Sequence, residues 1–120
     1  MAITSAICNS FKAEVLQALH NFTASSGNSF KLALYTSSAT LNKSTTAYSD
    51  TNEITNDAGS AYVAGGKALT NSGVTTSTVT SHTDFADLSV ANGTAWTSAS
   101  FTTRGCLIYN TTAVTGILDL

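Results

Sequence analysis

Apolar side chains recur at intervals of three and four residues in the first segment of the chain. The stripe consists of Ile3, Ile7, Phe11, Val15, Ala18, Leu19 and Phe22. This spacing is typical of an α-helix with one apolar face. Thr4 or Ser5 can cap its start, and Gly27 can adopt the left-handed conformation in which many helices end. The pattern predicts a helix over about 4–23 whose apolar face is buried in the core.

The hydrophobic period changes to two after the helix. Phe30, Leu32 and Leu34 occupy alternate positions, which predicts a strand with these three side chains facing the core. The residue pairs Gly65-Gly66 and Asn92-Gly93 indicate turns. Further short strands are predicted at 61–70, interrupted by the Gly65-Gly66 bulge or turn, and at 74–80, 84–90, 96–102, 104–109 and 114–120.

One helix followed by about seven short strands predicts a mainly β fold. Short antiparallel strands protect their edges by packing two sheets together or by closing a barrel. The expected architecture is therefore an N-terminal helix packed on an antiparallel β-sandwich or on a partly open barrel. The 120 residues form a single domain, 1–120, with a β region over about 30–120, because two domains would each be too short to enclose a core.

A long polar segment, 37–60, interrupts the β region. Leu41, Tyr48 and Ile54 are its only large apolar side chains. A connection of this length without structure is unusual in a compact domain, so we expect an ordered excursion or a contact arm. If the three side chains stay partly exposed on the protomer, they are candidate assembly contacts, with hydroxyl groups around them as hydrogen-bonding partners. The alternative is a surface loop that folds back on its own sheet.

Composition and charge exclude several classes of protein. Thr (21) and Ser (16) are abundant, whereas only 10% of the residues are charged and the net charge is −2. Five basic residues provide no field that would attract nucleic acid. No apolar run approaches a membrane span of about 20 residues, and the N-terminus does not resemble a signal peptide. Cys8 and Cys106 do not make a disulfide scaffold, and whether they pair stays open.

The residues that carry chemistry are too dispersed to predict an active site. His20 and His82 lie far apart in sequence, and neither lies beside an evident nucleophile and orienting acid. Asp84 and Asp87 are three positions apart, so on one strand they point to opposite faces. The two histidines and two cysteines lack the spacing of a zinc site. We therefore expect no catalytic residues, no metal, no cofactor and no enzymatic activity.

Several blocks of the sequence resemble small virion structural proteins of tailed bacteriophages. The blocks are 11–22, 30–41 (Phe-Lys-Leu-Ala-Leu-Tyr-Thr-Ser-Ser-Ala-Thr-Leu), 62–70 (Tyr-Val-Ala-Gly-Gly-Lys-Ala-Leu-Thr), 84–87 and 104–110 (Arg-Gly-Cys-Leu-Ile-Tyr-Asn). They span nearly the whole chain and contain no catalytic signature. Relatives in this group extend beyond the strand at 114–118, so the resemblance leaves room for a further strand after Leu120.

The resemblance implies a virion component made in the cytoplasm of the bacterial host. The favoured role is a capsid decoration or cement protein that binds the major capsid protein and its own copies as a homo-oligomer. A tail or baseplate component is the alternative. A secreted carbohydrate-binding β-sandwich fits the same composition, but it requires exposed aromatic platforms, and Trp96 is the only tryptophan. No nucleic-acid or membrane partner is expected.

Overall fold

The computed structural model describes residues 3–55, 62–88, 96, 99, 101–112 and 117–119. Its elements are α1 (Asn9–Leu16), β1 (Phe30–Tyr35), β2 (Lys67–Leu69), β3 (Asn71–Ser77), β4 (Thr80–Phe85), β5 (Gly105–Asn110) and β6 (Ile117–Asp119). The prediction of a mainly β protein with one N-terminal helix is confirmed.

The strands form two antiparallel sheets. The larger sheet has four strands in the order β2-β1-β5-β6, and β3 pairs only with β4 in the smaller one. At the centre of the larger sheet, β1 and β5 pair along their full length, from Phe30 opposite Asn110 to Tyr35 opposite Gly105. The described strands do not close into a barrel.

The predicted bounds agree best with the structure for β1 and β5, the two central strands of the larger sheet. The strand starting at Phe30 is confirmed as β1, and the strand predicted at 104–109 is β5, one residue later. In place of separate strands at 74–80 and 84–90, β3 and β4 form one hairpin, because Thr78 takes a positive φ of 52° and the chain turns there. The end of the second prediction, 89–90, lies outside the described residues. The described residues of 96–102 lie outside the strands, and Asn92-Gly93 lies outside the described residues.

The core lies mainly on the side of β1 opposite to the predicted one. Ala33 and Tyr35 are buried. On the predicted side Phe30 is buried, as expected, whereas Leu32 and Leu34 are only half-buried. The N-terminal segment and the polar excursion cover the Ala33 side. The buried cluster there consists of Cys8, Ala33, Tyr35, Ala39, Leu41 and Leu107. The expectation that Leu32 and Leu34 define the core face was wrong, because period two does not say which face the rest of the chain covers.

The helix is shorter than predicted. It begins after Cys8, which has extended backbone angles, and it ends at Leu16, two residues before Ala18 adopts a positive φ of 59°. The residues before it are extended because they lie beside the excursion, where Ile3 bridges Leu41 and the Thr4 amide donates to the Leu41 carbonyl at 3.0 Å. Tertiary pairing thus replaces the first predicted helical turns.

The predicted burial of the whole apolar stripe was also wrong. No residue of α1 is buried, and Leu16, on its last turn, is 90% exposed. Ile7, Val15 and Leu19 are between 42% and 47% exposed. Of the stripe, Ile3 and Phe11 pack partly against the buried cluster.

Phe11 should therefore matter more than its helical neighbours. We expect Phe11→Ala to lower the free energy of unfolding by about 2 kcal/mol, below the range for a fully buried phenylalanine. Leu16→Ala, the matched control, should change it by less than about 0.5 kcal/mol because Leu16 is exposed. Urea unfolding of the two variants measures both values, and equal effects would contradict the packing described for Phe11.

Candidate functional site

The three candidate assembly residues lie inside the protomer rather than on its surface. Leu41 is 5% exposed and Ile54 is 7% exposed. Tyr48 is half-buried and its ring stacks on Tyr109, with centroids 4.5 Å apart. The expectation that these side chains stay partly exposed was therefore wrong for Leu41 and Ile54. A contact made by this segment would have to use its exposed polar residues.

Backbone hydrogen bonds hold the described part of the excursion, 37–55, against β1 and the residue that follows it. The Thr36 amide donates to the Asn52 carbonyl at 3.0 Å, and the Ile54 amide donates to the Leu34 carbonyl at 2.9 Å. An antiparallel bridge joins Tyr35 to Glu53. The segment thus folds back on its own sheet, as the alternative interpretation of the sequence proposed.

A buried carboxylate lies at the end of the excursion. Glu53 is only 5% exposed. Its Oε2 accepts a hydrogen bond from the Tyr48 hydroxyl at 2.5 Å, and its Oε1 accepts one from the Tyr62 hydroxyl at 2.6 Å. The Gly65 amide donates to Oε1 as well, at 2.7 Å. We call these four residues the Glu53 cluster. Every contact is made by a donor, which suits a carboxylate that must be buried with its acceptors satisfied.

Glycine is required where the chain approaches this cluster. Gly66 has a positive φ of 84°, and a Cβ there would lie 2.0 Å from the Leu32 carbonyl oxygen. Any side chain would therefore push the turn away from β1. Because Gly65 supplies an amide to Glu53, the Gly-Gly turn predicted from the sequence also positions a donor.

Tyrosine hydroxyls extend the network on both sides of Glu53. Tyr35 donates to the Ser49 carbonyl at 2.7 Å, and Tyr109 donates to the Gly65 carbonyl at 2.6 Å. Burial, followed by the negative charge of Glu53, raises the pKa of Tyr35 and Tyr109 above the usual value. Burial and the hydrogen bond to Glu53 likewise raise the pKa of Tyr48 and Tyr62. These hydroxyls therefore remain protonated donors at neutral pH and are unsuited to act as bases or nucleophiles.

His20 belongs to a second buried polar cluster. Its side chain is fully buried, and Nε2 lies 2.9 Å from Glu14 Oε2. Its Nδ1 lies 3.0 Å from Asn110 Nδ2, which also donates to Asn28 Oδ1 at 2.9 Å. Phe11 packs on the imidazole with ring centroids 4.6 Å apart. These contacts join the residues after α1 to the end of β5, a structural role that the sequence analysis did not assign to His20.

The hydrogen bonds around Asn110 determine which His20 nitrogen carries the proton. The Thr112 amide donates to Asn110 Oδ1 at 2.8 Å. A backbone amide can only donate, so the Asn110 oxygen faces Thr112 and its NH₂ group faces His20. His20 Nδ1 must then be the acceptor. We expect nitrogen-15 NMR to show the proton on Nε2, which faces Glu14 Oε2, and an Nδ1–H signal would contradict this assignment.

The other candidate catalytic groups do not converge with either cluster. His82, Asp84 and Asp87 are exposed. Asp84 accepts a hydrogen bond from the neighbouring Phe85 amide at 2.8 Å, which is a local backbone contact. Cys8 is buried, and its thiol donates to the Asn42 carbonyl at 3.8 Å. Within the described residues, no group of three or more His, Cys, Asp or Glu side chains is arranged to hold a metal ion.

An open cavity of about 270 Å³ lies between the excursion and the end of β1. Its lining includes Tyr35, Ser38, Thr40, Thr45 and Asn52. Several of these polar groups already have partners, because Asn52 donates to the Ser38 carbonyl at 3.1 Å and the Asn42 amide donates to Thr45 Oγ1 at 3.0 Å. The cavity thus offers an uncharged surface in which apolar side chains (Ala39, Leu41 and Ala47) lie between the hydroxyl groups.

No membrane-crossing helix, long and apolar enough for that purpose, occurs among the residues that the structure describes. Comparison with known proteins identifies no relative: no protein-family model, no curated protein and no solved structure matches the chain.

Proposed function

We propose that the protein is a non-enzymatic structural component of a tailed-bacteriophage virion, with capsid decoration as its role. It would bind the major capsid protein and would assemble with its own copies on the particle. The sequence blocks described above supply the phage context. The observation that supports a binding role concerns the outer surface of the excursion. This surface is uncharged over most of its length, and backbone hydrogen bonds fix the segment on β1.

The exposed side of the excursion suits close contact with another protein. Thr40, Ser44, Thr46, Ser49 and Thr51 are all exposed there. Hydroxyl groups can exchange water for protein partners at a lower cost than charges can. Because the Glu53 cluster and the backbone pairing fix the segment, little conformational entropy is lost when it binds.

The position of the tryptophan supports this proposal over carbohydrate binding. Trp96 is half-buried, and its ring centroid lies 5.4 Å from that of Tyr62. Tyr62 itself is 1% exposed and belongs to the Glu53 cluster. A sugar-stacking platform requires an exposed aromatic face, whereas this indole contributes to packing beside the excursion.

The predicted sandwich is part of the same proposal. Both sheets are antiparallel, and the larger one has half-buried side chains on the Leu32 side of β1. A second layer over that side would complete a sandwich and would bury the remaining apolar area.

An electron-microscopy map of the intact particle tests the proposal directly. Density for this fold on the outer capsid surface would support decoration, and density confined to the tail or baseplate would replace decoration with the alternative virion role. Absence of the protein from purified particles, measured by mass spectrometry, would overturn the virion assignment.

A variant then tests the binding surface. Thr46→Glu places a charge on the exposed side of the excursion. Thr23→Glu is a matched exposed control near the other end of β1, where the neighbouring Phe22 stacks on Phe30. We expect Thr46→Glu to fold normally and to lower occupancy on particles that lack the native protein. Occupancy that falls equally in both variants would argue against the excursion as the contact surface.

A further inference from the structure

The hairpin formed by β3 and β4, residues 71–85, is exposed on both faces. Every residue from Val74 to Asp84 is exposed, and Val79, in the turn, is 93% exposed. Successive side chains of a strand point to opposite faces, so the described residues of the protein cover neither face of this ribbon between Val74 and Asp84. An isolated two-stranded ribbon is at best marginally stable in water. The hairpin therefore has the properties of an element that a partner completes.

Contacts at the base of the hairpin hold it in place. Phe85 packs on Phe30 with ring centroids 5.5 Å apart. The Asn71 side-chain amide donates to the Asn28 carbonyl at 3.0 Å, and the Ala86 amide donates to the Thr70 carbonyl at 2.8 Å. Six or seven strand residues at about 3.3 Å each give an arm about 20 Å long. The arm thus presents its two edges in a defined direction.

The outer edge of β4 lacks the features that usually prevent strand pairing. Among the described residues, neither strand of the hairpin pairs with a third strand. Natural edge strands are commonly protected by lysine, proline or a bulge. β3 has an irregular register between Asn71 and Gly73, whereas β4 pairs regularly from Thr80 to Asp84. β4 (Thr-Ser-His-Thr-Asp-Phe) contains no lysine or proline, so it is the more open of the two edges.

The charge distribution favours a second copy of this chain as the partner. Each copy carries a formal net charge of −2, so two copies repel each other weakly overall. The hairpin from Val74 to Thr83 contains no Asp, Glu, Lys or Arg. Asp84 is the only charged residue of β4, and it lies near the end of the strand. Two copies can therefore pair along 80–83 without placing like charges opposite each other. A strand that pairs antiparallel with its own copy is also self-complementary across a two-fold axis.

We propose that β4 pairs antiparallel with β4 of a second copy, so that two hairpins form one four-stranded sheet across a two-fold axis. Main-chain hydrogen bonds supply the attraction, as in other cases of strand addition. This inference does not depend on the virion role, because it follows from the exposed hairpin alone.

The hairpin register identifies which amides are available. Ser77 pairs with Thr80 across the two-residue turn, and in such a turn this closing pair is hydrogen-bonded. Bonded and non-bonded pairs alternate along an antiparallel ladder. The amides of Ser81 and Thr83 therefore point outward, towards the proposed copy. Proline at position 81 would remove one outward donor from each copy without removing a main-chain hydrogen bond inside the hairpin. It would also remove the contact of the Ser81 hydroxyl with Thr76 Oγ1 at 2.9 Å, which an alanine at position 81 removes as well.

Sedimentation velocity of the purified protein tests the proposal. We expect a concentration-dependent dimer for the native chain. Ser81→Pro should weaken dimerisation at least about tenfold, whereas the matched Ser81→Ala, which lacks the hydroxyl but keeps the amide, should dimerise like the native chain. Circular dichroism and the unfolding midpoint show whether each variant is folded. A native chain that stays monomeric up to about 1 mM would overturn the proposal.

A charge-exchange pair provides a second test that does not use proline. His82 lies near the middle of β4, so it approaches its own copy across the proposed two-fold axis. His82→Glu and His82→Lys should each be monomeric alone, because like charges would face each other. Mixed in equal amounts, they should form a heterodimer. If both variants dimerise as the native chain does, the contact lies on another surface and the proposal is wrong.

Discussion

Replacing Glu53 with alanine is expected to lower the free energy of unfolding by about 3 kcal/mol or more. The substitution leaves the Tyr48 and Tyr62 hydroxyls and the Gly65 amide without their acceptor. Each buried donor left without a partner costs about 1–3 kcal/mol. The loss should be visible in urea unfolding as a lower midpoint with an unchanged slope.

Two further variants separate hydrogen bonding from charge. Asp50→Ala removes an exposed carboxylate three residues earlier and should change stability by less than about 0.5 kcal/mol. Glu53→Gln keeps one oxygen for Tyr62 and Gly65, and the Tyr48 hydroxyl can rotate to accept from the new amide. Glu53→Gln should therefore cost less than Glu53→Ala. If all three variants unfold like the native protein, Glu53 does not hold the excursion in place.

Above about pH 10 the protein should lose stability steeply. Unfolded tyrosines ionise near pH 10, whereas burial and the neighbouring Glu53 raise the pKa of Tyr35 and Tyr62 in the native state. Below pH 10 both states keep the protons and the stabilisation is complete. Above it the unfolded chain releases protons that the native protein retains. Stability then falls by about 1.4 kcal/mol per pH unit for each such tyrosine, or about 3 kcal/mol per unit for these two. The pKa of Tyr48 and of Tyr109 is raised as well, so the fall should be steeper still.

Denaturant unfolding at a series of alkaline pH values measures this slope. Tyr62→Phe should lower the slope by about 1.4 kcal/mol per pH unit, because one of the tyrosines with a raised pKa is gone, although it will be less stable at neutral pH. Ultraviolet absorbance of tyrosinate reports ionisation in the folded state. The prediction is contradicted if Tyr35 and Tyr62 ionise near pH 10 while the protein is still folded. It is also contradicted if the free energy of unfolding stays constant up to about pH 11.

Sequence patterns predicted the elements whose burial follows a simple period. Alternation identified β1, and the apolar run at 104–109 identified β5, because both lie at the centre of the larger sheet. The helix was overestimated because the apolar spacing around Ile3 and Ile7 also fits an extended segment that pairs with the excursion. Local patterns cannot distinguish the two when a partner about 40 residues away decides the outcome.

The Glu53 cluster was not predictable from the same patterns. Glu53 lies in a polar stretch whose composition is typical of a solvent-exposed loop. The groups that donate hydrogen bonds to it are spread along the sequence from Tyr48 to Gly65. Hydrophobic periodicity considers apolar side chains only, so it cannot predict that a carboxylate is buried. The available signal was the presence of Tyr48 and Ile54 within an otherwise polar segment, which indicated order. The same signal led to the expectation of an intermolecular contact, whereas these side chains pack within the protomer.

The pairing of β1 with β5 has a consequence for how the chain acquires its structure. These central strands meet across an intervening segment of about 70 residues. Closing a loop of that length costs conformational entropy before the paired strands stabilise the chain. Folds with such non-local pairing form in milliseconds to seconds rather than in microseconds. During synthesis the edge of β1 that pairs with β5 stays unpaired until β5 has left the ribosome. Early chains therefore expose the edge of β1, and they depend on completed synthesis, or on chaperones, to avoid pairing with one another.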